Sequence, residues 1–300
     1  MFYYCINSVF VESDVPLWGN SIDSIPCQVH VYRSSFSRQK GLDPIWTEQI
    51  EGVLLQELLI DRKTNALYYY AYTMVGDLCF KCVIEYNDIV SIKYDYFGIG
   101  ATEVVYFLYK KLPLSFQYMG YTVLHGASLI YKSQNIVLLG DSGVGKTTLS
   151  MLMQINGAKL LADDYVVIKN GMLYYTNTFS HVSKDTIELL ARESVDRIPY
   201  KKIYNSISGK YIMIPSVENN GVVPVGTIYL LNRSINNCLS IEKMQSSNSF
   251  CELLKRTING MINPAIQFKE LVSLCSNNTI KKLYLSANSL DIEKLLSIME

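Results

Sequence analysis

The chain has 300 residues, 49% of them apolar, which is enough to bury one large core or two modest ones and excludes a disordered chain. Lys plus Arg and Asp plus Glu balance at 27 each, so no global field gathers nucleic acid or an anionic membrane, and neither is expected as a partner. Seven scattered cysteines, an odd number, read as reduced thiols; with no basic-then-apolar leader at Met1–Cys5 and no apolar run of about 18 residues, a cytoplasmic protein is expected.

The first part reads as β-rich. Cys27–Tyr32, Ala66–Met74, Leu78–Tyr86 and Val90–Tyr94 are rich in Val, Ile, Tyr and Phe, and Gly76-Asp77 and Asn87-Asp88 punctuate them. Ser34–Lys40 reads as a solvated basic loop. Cys79 and Cys82 form a C-x-x-C, but positions three apart in a strand point to opposite faces. No second pair stands nearby, so zinc is not expected. Gly98 and Gly100 break the pattern. Thr102–Leu112 then places Val104, Val105, Leu108 and Leu112 on one connected helical face, and Pro113 is expected to stop that helix. The spacing predicts a β-rich N-terminal domain over 1–98, a helical linker over 99–113 and a second domain over 114–300.

The chemistry lies in the second domain. Ala127–Tyr131 reads as a strand, Lys132–Asn135 as a polar turn and Ile136–Leu139 as a second strand. A hairpin there lays His125-Gly126 beside Gly140-Asp141. Next comes Gly140-Asp141-Ser142-Gly143-Val144-Gly145-Lys146-Thr147-Thr148, which fits the phosphate-loop pattern G-x-x-x-x-G-K-[ST]. Leu149, Leu152, Met153 and Ile155 follow on one helical face, so strand, glycine-rich loop and helix start stand in the order the motif needs. The glycines let the backbone turn its N–H groups toward an anion, and the helix start adds partial positive charge. Lys146 is the expected counter-charge to terminal phosphates, and Thr147 supplies a hydroxyl for Mg²⁺.

After Gly157, the short strand Lys159–Ala162 ends on Asp163-Asp164. Paired carboxylates at that place serve two needs, holding Mg²⁺ and accepting a proton or orienting water. Which aspartate does which stays open here. His125 could contact phosphate, tune a carboxylate or simply satisfy a strand end. His30 and His181 have no such neighbourhood and are expected to be structural. Pro224–Leu231 reads as a further core strand, and Ser249–Asn259 and Asp291–Met299 as outer helices.

The run His125-Gly126, Gly140–Thr148, Gly157-Ala158 and Leu161-Ala162-Asp163-Asp164 resembles the catalytic domain of HPr serine kinase/phosphorylase and its HprK-like relatives. More distantly it is similar to ATP-dependent phosphoenolpyruvate carboxykinase. The resemblance is strongest over Tyr121–Ile168. It implies an α/β (α+β) fold, a phosphate-loop core with a mixed sheet, preceded here by the β-rich N-terminal domain. It also implies a homo-oligomer. Ser13–Leu17 looks like the start of the N-terminal region of the HprK-like relatives, and Lys210 resembles a lysine they carry before a strand. Two departures stand out. No Glu-x-Arg-Gly follows in the second half, which puts the protein HPr itself in doubt as substrate. Thr147-Thr148 replace serine and glutamate, which keeps the metal-binding hydroxyl.

Together these readings point to a kinase that transfers the γ-phosphoryl group of ATP, or of another nucleoside triphosphate such as GTP, to a hydroxyl with Mg²⁺ as cofactor. The acceptor is expected to be a serine of a peptide or protein, or else a small molecule. Gly140 to Thr148 would hold the nucleotide; Lys146, Asp163, Asp164 and His125 would serve catalysis; Thr147, Asp163 and Asp164 would hold the metal. The alternative is a nucleotide-hydrolysing regulator with water as sole acceptor. A carboxykinase needs His and Lys metal ligands upstream, and only His30 precedes His125. A degenerate kinase serving a docking module is opposed by the intact Lys146, Thr147 and Asp163-Asp164.

Overall fold

A computed structural model describes residues 1–6, 9–17, 28–50, 54–73, 75–175, 180–192, 200–205, 209–215, 221–234, 238–257, 262–286 and 292–299. The fold is mixed α/β. Contacts divide it into two compact units: Met1–Gly120 with Tyr204–Gly209 and Asn259–Asn263, and Tyr121–Ile203 with Lys210–Ile258 and Pro264–Glu300.

The first unit is built on eight strands: β1 (Phe2–Ile6), β2 (Val9–Ser13), β3 (Val29–Arg33), β4 (Asp43–Ile50), β5 (Leu54–Ile60), β6 (Leu67–Thr73), β7 (Leu78–Asn87) and β8 (Ile89–Tyr96). They form one sheet in the order β1-β2-β3-β8-β7-β6-β5-β4, parallel at β2–β3 and β3–β8. Cys79 and Cys82 are buried in β7; the Cys79 Sγ–H donates to the Ala71 carbonyl at 3.3 Å, and burial pushes the Cys82 thiol up to about 12. Helix α1 (Ala101–Tyr118) packs on this sheet, with the Phe107 ring 4.8 Å from Phe80. The expectation that Pro113 ends this helix is corrected: Pro113 lies inside it. An interior proline costs ~3 kcal/mol, but Phe107, Leu108, Leu114 and Phe116 are buried on both sides of it, each contributing about 1.5–3 kcal/mol.

The second unit centres on a nine-stranded sheet. Its strands are β9 (Thr122–Tyr131), β10 (Gln134–Gly140), β11 (Lys159–Ala162), β12 (Tyr165–Lys169), β13 (Met172–Tyr174), β17 (Val222–Pro224), β18 (Thr227–Arg233), β19 (Ser240–Lys243) and β20 (Ile280–Leu285). The order is β17-β13-β12-β9-β10-β18-β20-β19, with β11 also pairing β9. Side chains alternate across it. Val137, Leu139, Ile228 and Leu230 pack with Leu253 of α4 (Ser246–Lys255) and Leu271 and Leu274 of α5 (Pro264–Asn277). Ile136, Leu138, Tyr229 and Leu231 pack with Leu149 and Met153 of α2 (Lys146–Ile155) and Leu295, Leu296 and Met299 of α6 (Ile292–Met299). Being buried on both faces explains why Ile136–Leu139 is an unbroken apolar run.

A smaller sheet, ordered β14-β16-β15, comprises β14 (Ser180–Val182), β15 (Tyr200–Asn205) and β16 (Lys210–Pro215). Helix α3 (Lys184–Arg192) follows β14, and Val182, Leu190 and Met213 pack with Met151 and Leu152 of α2.

Three further expectations change in detail. The β9–β10 turn is only Lys132-Ser133, both at positive φ (45° and 65°), the two-residue turn that suits a twisted hairpin. The run Pro224–Leu231 is split at Val225-Gly226 between β17, which pairs β13, and β18, which pairs β10; a Cβ at Gly226 would lie 2.0 Å from the Asn135 carbonyl oxygen. Helix α4 starts earlier and ends earlier than Ser249–Asn259. Cys27, Met74, Asn259 and Asp291, which bounded several expectations, lie outside the described residues. No helix among the described residues is long and apolar enough to cross a membrane.

Candidate functional site

Strand β9 gathers the site. On one edge it pairs antiparallel with β10, Gly126 opposite Leu139. On the other it meets β11 and β12, with Ser128 opposite Ala162 and His125 opposite Tyr165. His125-Gly126, the end of β10 and Asp163-Asp164 therefore converge at one end of the sheet. Gly126 permits the approach, since a Cβ there would lie 2.4 Å from Leu139 Cδ2 and 2.6 Å from the Leu138 oxygen. Its N–H donates to the Asp164 carbonyl at 3.2 Å, and the His125 N–H donates to the Arg256 carbonyl at 2.8 Å.

Between β10 and α2 the chain turns through Gly140–Gly145. Gly143 and Gly145 take φ of 77° and 109°, where any other side chain would be strained. The Val144 N–H returns to the Asp141 carbonyl at 3.3 Å, and the Leu149 N–H to Gly145 at 2.8 Å. The first N–H groups of α2 have no acceptor within the helix, so the loop offers donors and partial positive charge at its opening. Lys146 is buried there, and its Nζ donates to the carbonyls of Gly140 and Asp141, each at 2.9 Å. Burial pushes its pKa down; the Asp164, Asp163 and Asp141 carboxylates pull it up, while Arg256 adds a like charge.

The Thr147 Oγ1–H donates to Asp163 Oδ1 at 3.4 Å. Asp163 is 2% exposed. Burial, then the adjoining Asp164 charge, raises its pKa to about 7, against the pull of the Ser180 hydroxyl, the Asp164 N–H and the Lys146 ammonium. Asp164 takes φ of 69°, rare for a non-glycine residue; its N–H donates to Asp163 Oδ1 at 3.0 Å. Its own Oδ2 lies 2.9 Å from His181 Nδ1. The Thr148 hydroxyl instead meets Thr186 Oγ1 of α3 at 3.1 Å.

One expectation is overturned here. His181 does have a charged neighbourhood, because β14 carries its ring to the Asp164 carboxylate. Arg256 and Arg233 were likewise invisible in sequence. Arg256 Nη1 lies 2.7 Å from Asp141 Oδ1, and Arg233 Nη2 donates to the Gly143 carbonyl at 3.0 Å, so both brace the loop. Arg256 is 13% exposed at its side chain, against 77% for Asp141. By contrast, Lys210 opens β16 as an exposed residue, and His30 pairs with Glu12 in the first unit at 2.6 Å.

Among the described residues no three His, Cys, Asp or Glu side chains cluster as a metal site. What Thr147 and Asp163 offer is a hydroxyl and a carboxylate 3.4 Å apart beside a phosphate-type loop. Hard oxygen donors of that kind suit Mg²⁺, whose shell is ordinarily completed by phosphate oxygens and water. The residues fit the ion and its nucleotide.

No family model matches the chain, and no curated protein matches it. Among solved structures, the chain is similar to the Hpr(Ser) kinase/phosphatase from Coxiella burnetii, 14% identical over 59% of this chain and 95% of that chain, with a TM-score of 0.30. That likeness is distant.

Proposed function

We propose that this chain is an ATP- and Mg²⁺-dependent kinase that transfers the γ-phosphoryl group to a hydroxyl, with a serine of a peptide or protein as acceptor. The observation that carries the proposal is the Thr147–Asp163 contact of 3.4 Å beside the buried Lys146. It joins the phosphate loop and the carboxylate pair into one site, the arrangement phosphoryl transfer needs for positioning and charge stabilisation. The resemblance of the same residues to HPr kinases supports the choice of a hydroxyl acceptor.

Backbone N–H groups from Ser142 to Thr147 cradle the β- and γ-phosphates. Lys146 exchanges its two carbonyl acceptors for phosphate oxygens, gaining charge-assisted hydrogen bonds in place of neutral ones. Thr147 and Asp163 would hold the metal, which would supply charge neutralisation at the phosphates. Asp164, more exposed than Asp163 at 20% of its side chain, takes the proton of the acceptor hydroxyl. His125 lies within β9 opposite Tyr165, the residue after this pair.

The test is phosphoryl transfer from γ-labelled ATP to serine-containing peptides and proteins. Transfer is expected with Mg²⁺ present and is expected to disappear in Lys146→Ala and Asp163→Asn, both of which remain folded. Transfer retained in both variants removes this mechanism. Turnover with water as sole acceptor, unchanged by any hydroxyl substrate, would favour a hydrolysing regulator instead.

A further inference from the structure

His181 reaches the site from a different sheet. Its ring is 7% exposed and places Nδ1 2.9 Å from Asp164 Oδ2. Two sets of contacts fix it there. Ser180, His181 and Val182 pair with Met213, Ile212 and Tyr211 of β16. Val182 also packs with Met151 and Leu152 of α2, the helix that opens on Lys146 and Thr147. The strand that carries the imidazole therefore packs, through Val182, on the helix that follows the phosphate loop.

A carboxylate has two oxygens and about four lone-pair sites, so fixing one oxygen defines where the other accepts. We infer that His181 is a positioning residue: its Nδ1–H anchors Asp164 Oδ2, turning Oδ1 to the acceptor hydroxyl. The left-handed backbone at Asp164, φ 69°, agrees with a side chain held by outside contacts at a functional site. This inference rests on the kinase reading and adds a residue to it that lies outside the phosphate-loop pattern.

Two measurements decide it. The first needs no catalysis: long-range ¹H–¹⁵N spectra of the metal-free protein report which ring nitrogen of His181 carries the proton. The Nδ1–H tautomer is expected in the parent, and its loss in Asp164→Ala. An Nε2–H tautomer in the parent overturns the inference. The second compares His181→Phe, which keeps volume but donates nothing, with His181→Asn, whose amide nitrogen can occupy the place of Nδ1. Loss of a base's orientation is expected to lower kcat about 10²-fold in the Phe variant, with KM for ATP within about threefold and the melting profile cooperative. The Asn variant is expected to recover at least about tenfold of that loss. A Phe variant at the parent's kcat, or an Asn variant no better than Phe, overturns the inference alone. A parent that transfers no phosphoryl group overturns the kinase reading, and this inference with it.

Discussion

Asp163 is 2% exposed and adjoins a second carboxylate, and its ionised form is favoured by the Ser180 hydroxyl, the Asp164 N–H and the Lys146 ammonium. Its folded pKa, about 7, stands above the ordinary 3.8. The folded state thus binds this proton more tightly than the unfolded chain. The stability it contributes is complete below about 4 and is lost as pH rises through about 7. In Mg²⁺-free buffer, Asp163→Asn is accordingly expected to melt higher than the parent at pH 8 and to approach it near pH 4. Calorimetry at both pH values checks this; a variant that melts lower at pH 8 contradicts it. At this scale the sequence is informative only where neighbours in space are neighbours in chain. Gly140 to Thr148 and Asp163-Asp164 are legible because local spacing dictates them. His181, Arg256 and Arg233 are not, because each arrives through pairing and packing that spacing does not encode.

Elements were legible in proportion to how strongly one periodicity prevailed. The β9–β10 hairpin and α2 declare themselves through an unbroken apolar strand, a polar turn and a helical face. Helix α5 does not: Ile266, Phe268 and Val272 are exposed while Gln267 is buried, so its apolar residues mark no single face. Its place is fixed in part by an acidic side chain. Glu270 accepts the N–H groups of Asn170 and Gly171, at 2.8 and 2.7 Å, where β12 turns into β13. Hydrogen bonds to a charged group are worth ~1.5–3 kcal/mol, less where one is exposed to water, as the Asn170 bond is. Glu270→Ala is therefore expected to lower unfolding stability by roughly 1 kcal/mol in a urea melt, with phosphoryl transfer unaffected in kcat. No measurable loss would mean that α5 is placed by Leu271 and Leu274 alone. The proline inside α1 teaches the converse lesson, since burial on both sides of Pro113 overrides a stop signal that is sound in isolation.

For the whole molecule, balanced charge and a large apolar fraction allowed a mixed α/β fold but did not give the number of sheets or the strand order. The order depends on pairings between residues far apart in sequence, such as the parallel β10–β18 and β18–β20 contacts. The site itself depends on the pairings of β9, which bring Gly126 to Leu139 on the β10 side and to the Asp164 carbonyl on the β12 side. The central proposal is then that a lysine-bearing loop and a carboxylate pair act as one nucleotide–metal site. Titration calorimetry of ATP with and without Mg²⁺, on the parent and on Asp163→Asn, tests this most directly. The account predicts that Mg²⁺ tightens ATP binding at least about tenfold in the parent, ~1.4 kcal/mol, and does not do so in Asp163→Asn. An equal gain from Mg²⁺ in both proteins, or no ATP binding by the parent, would contradict it.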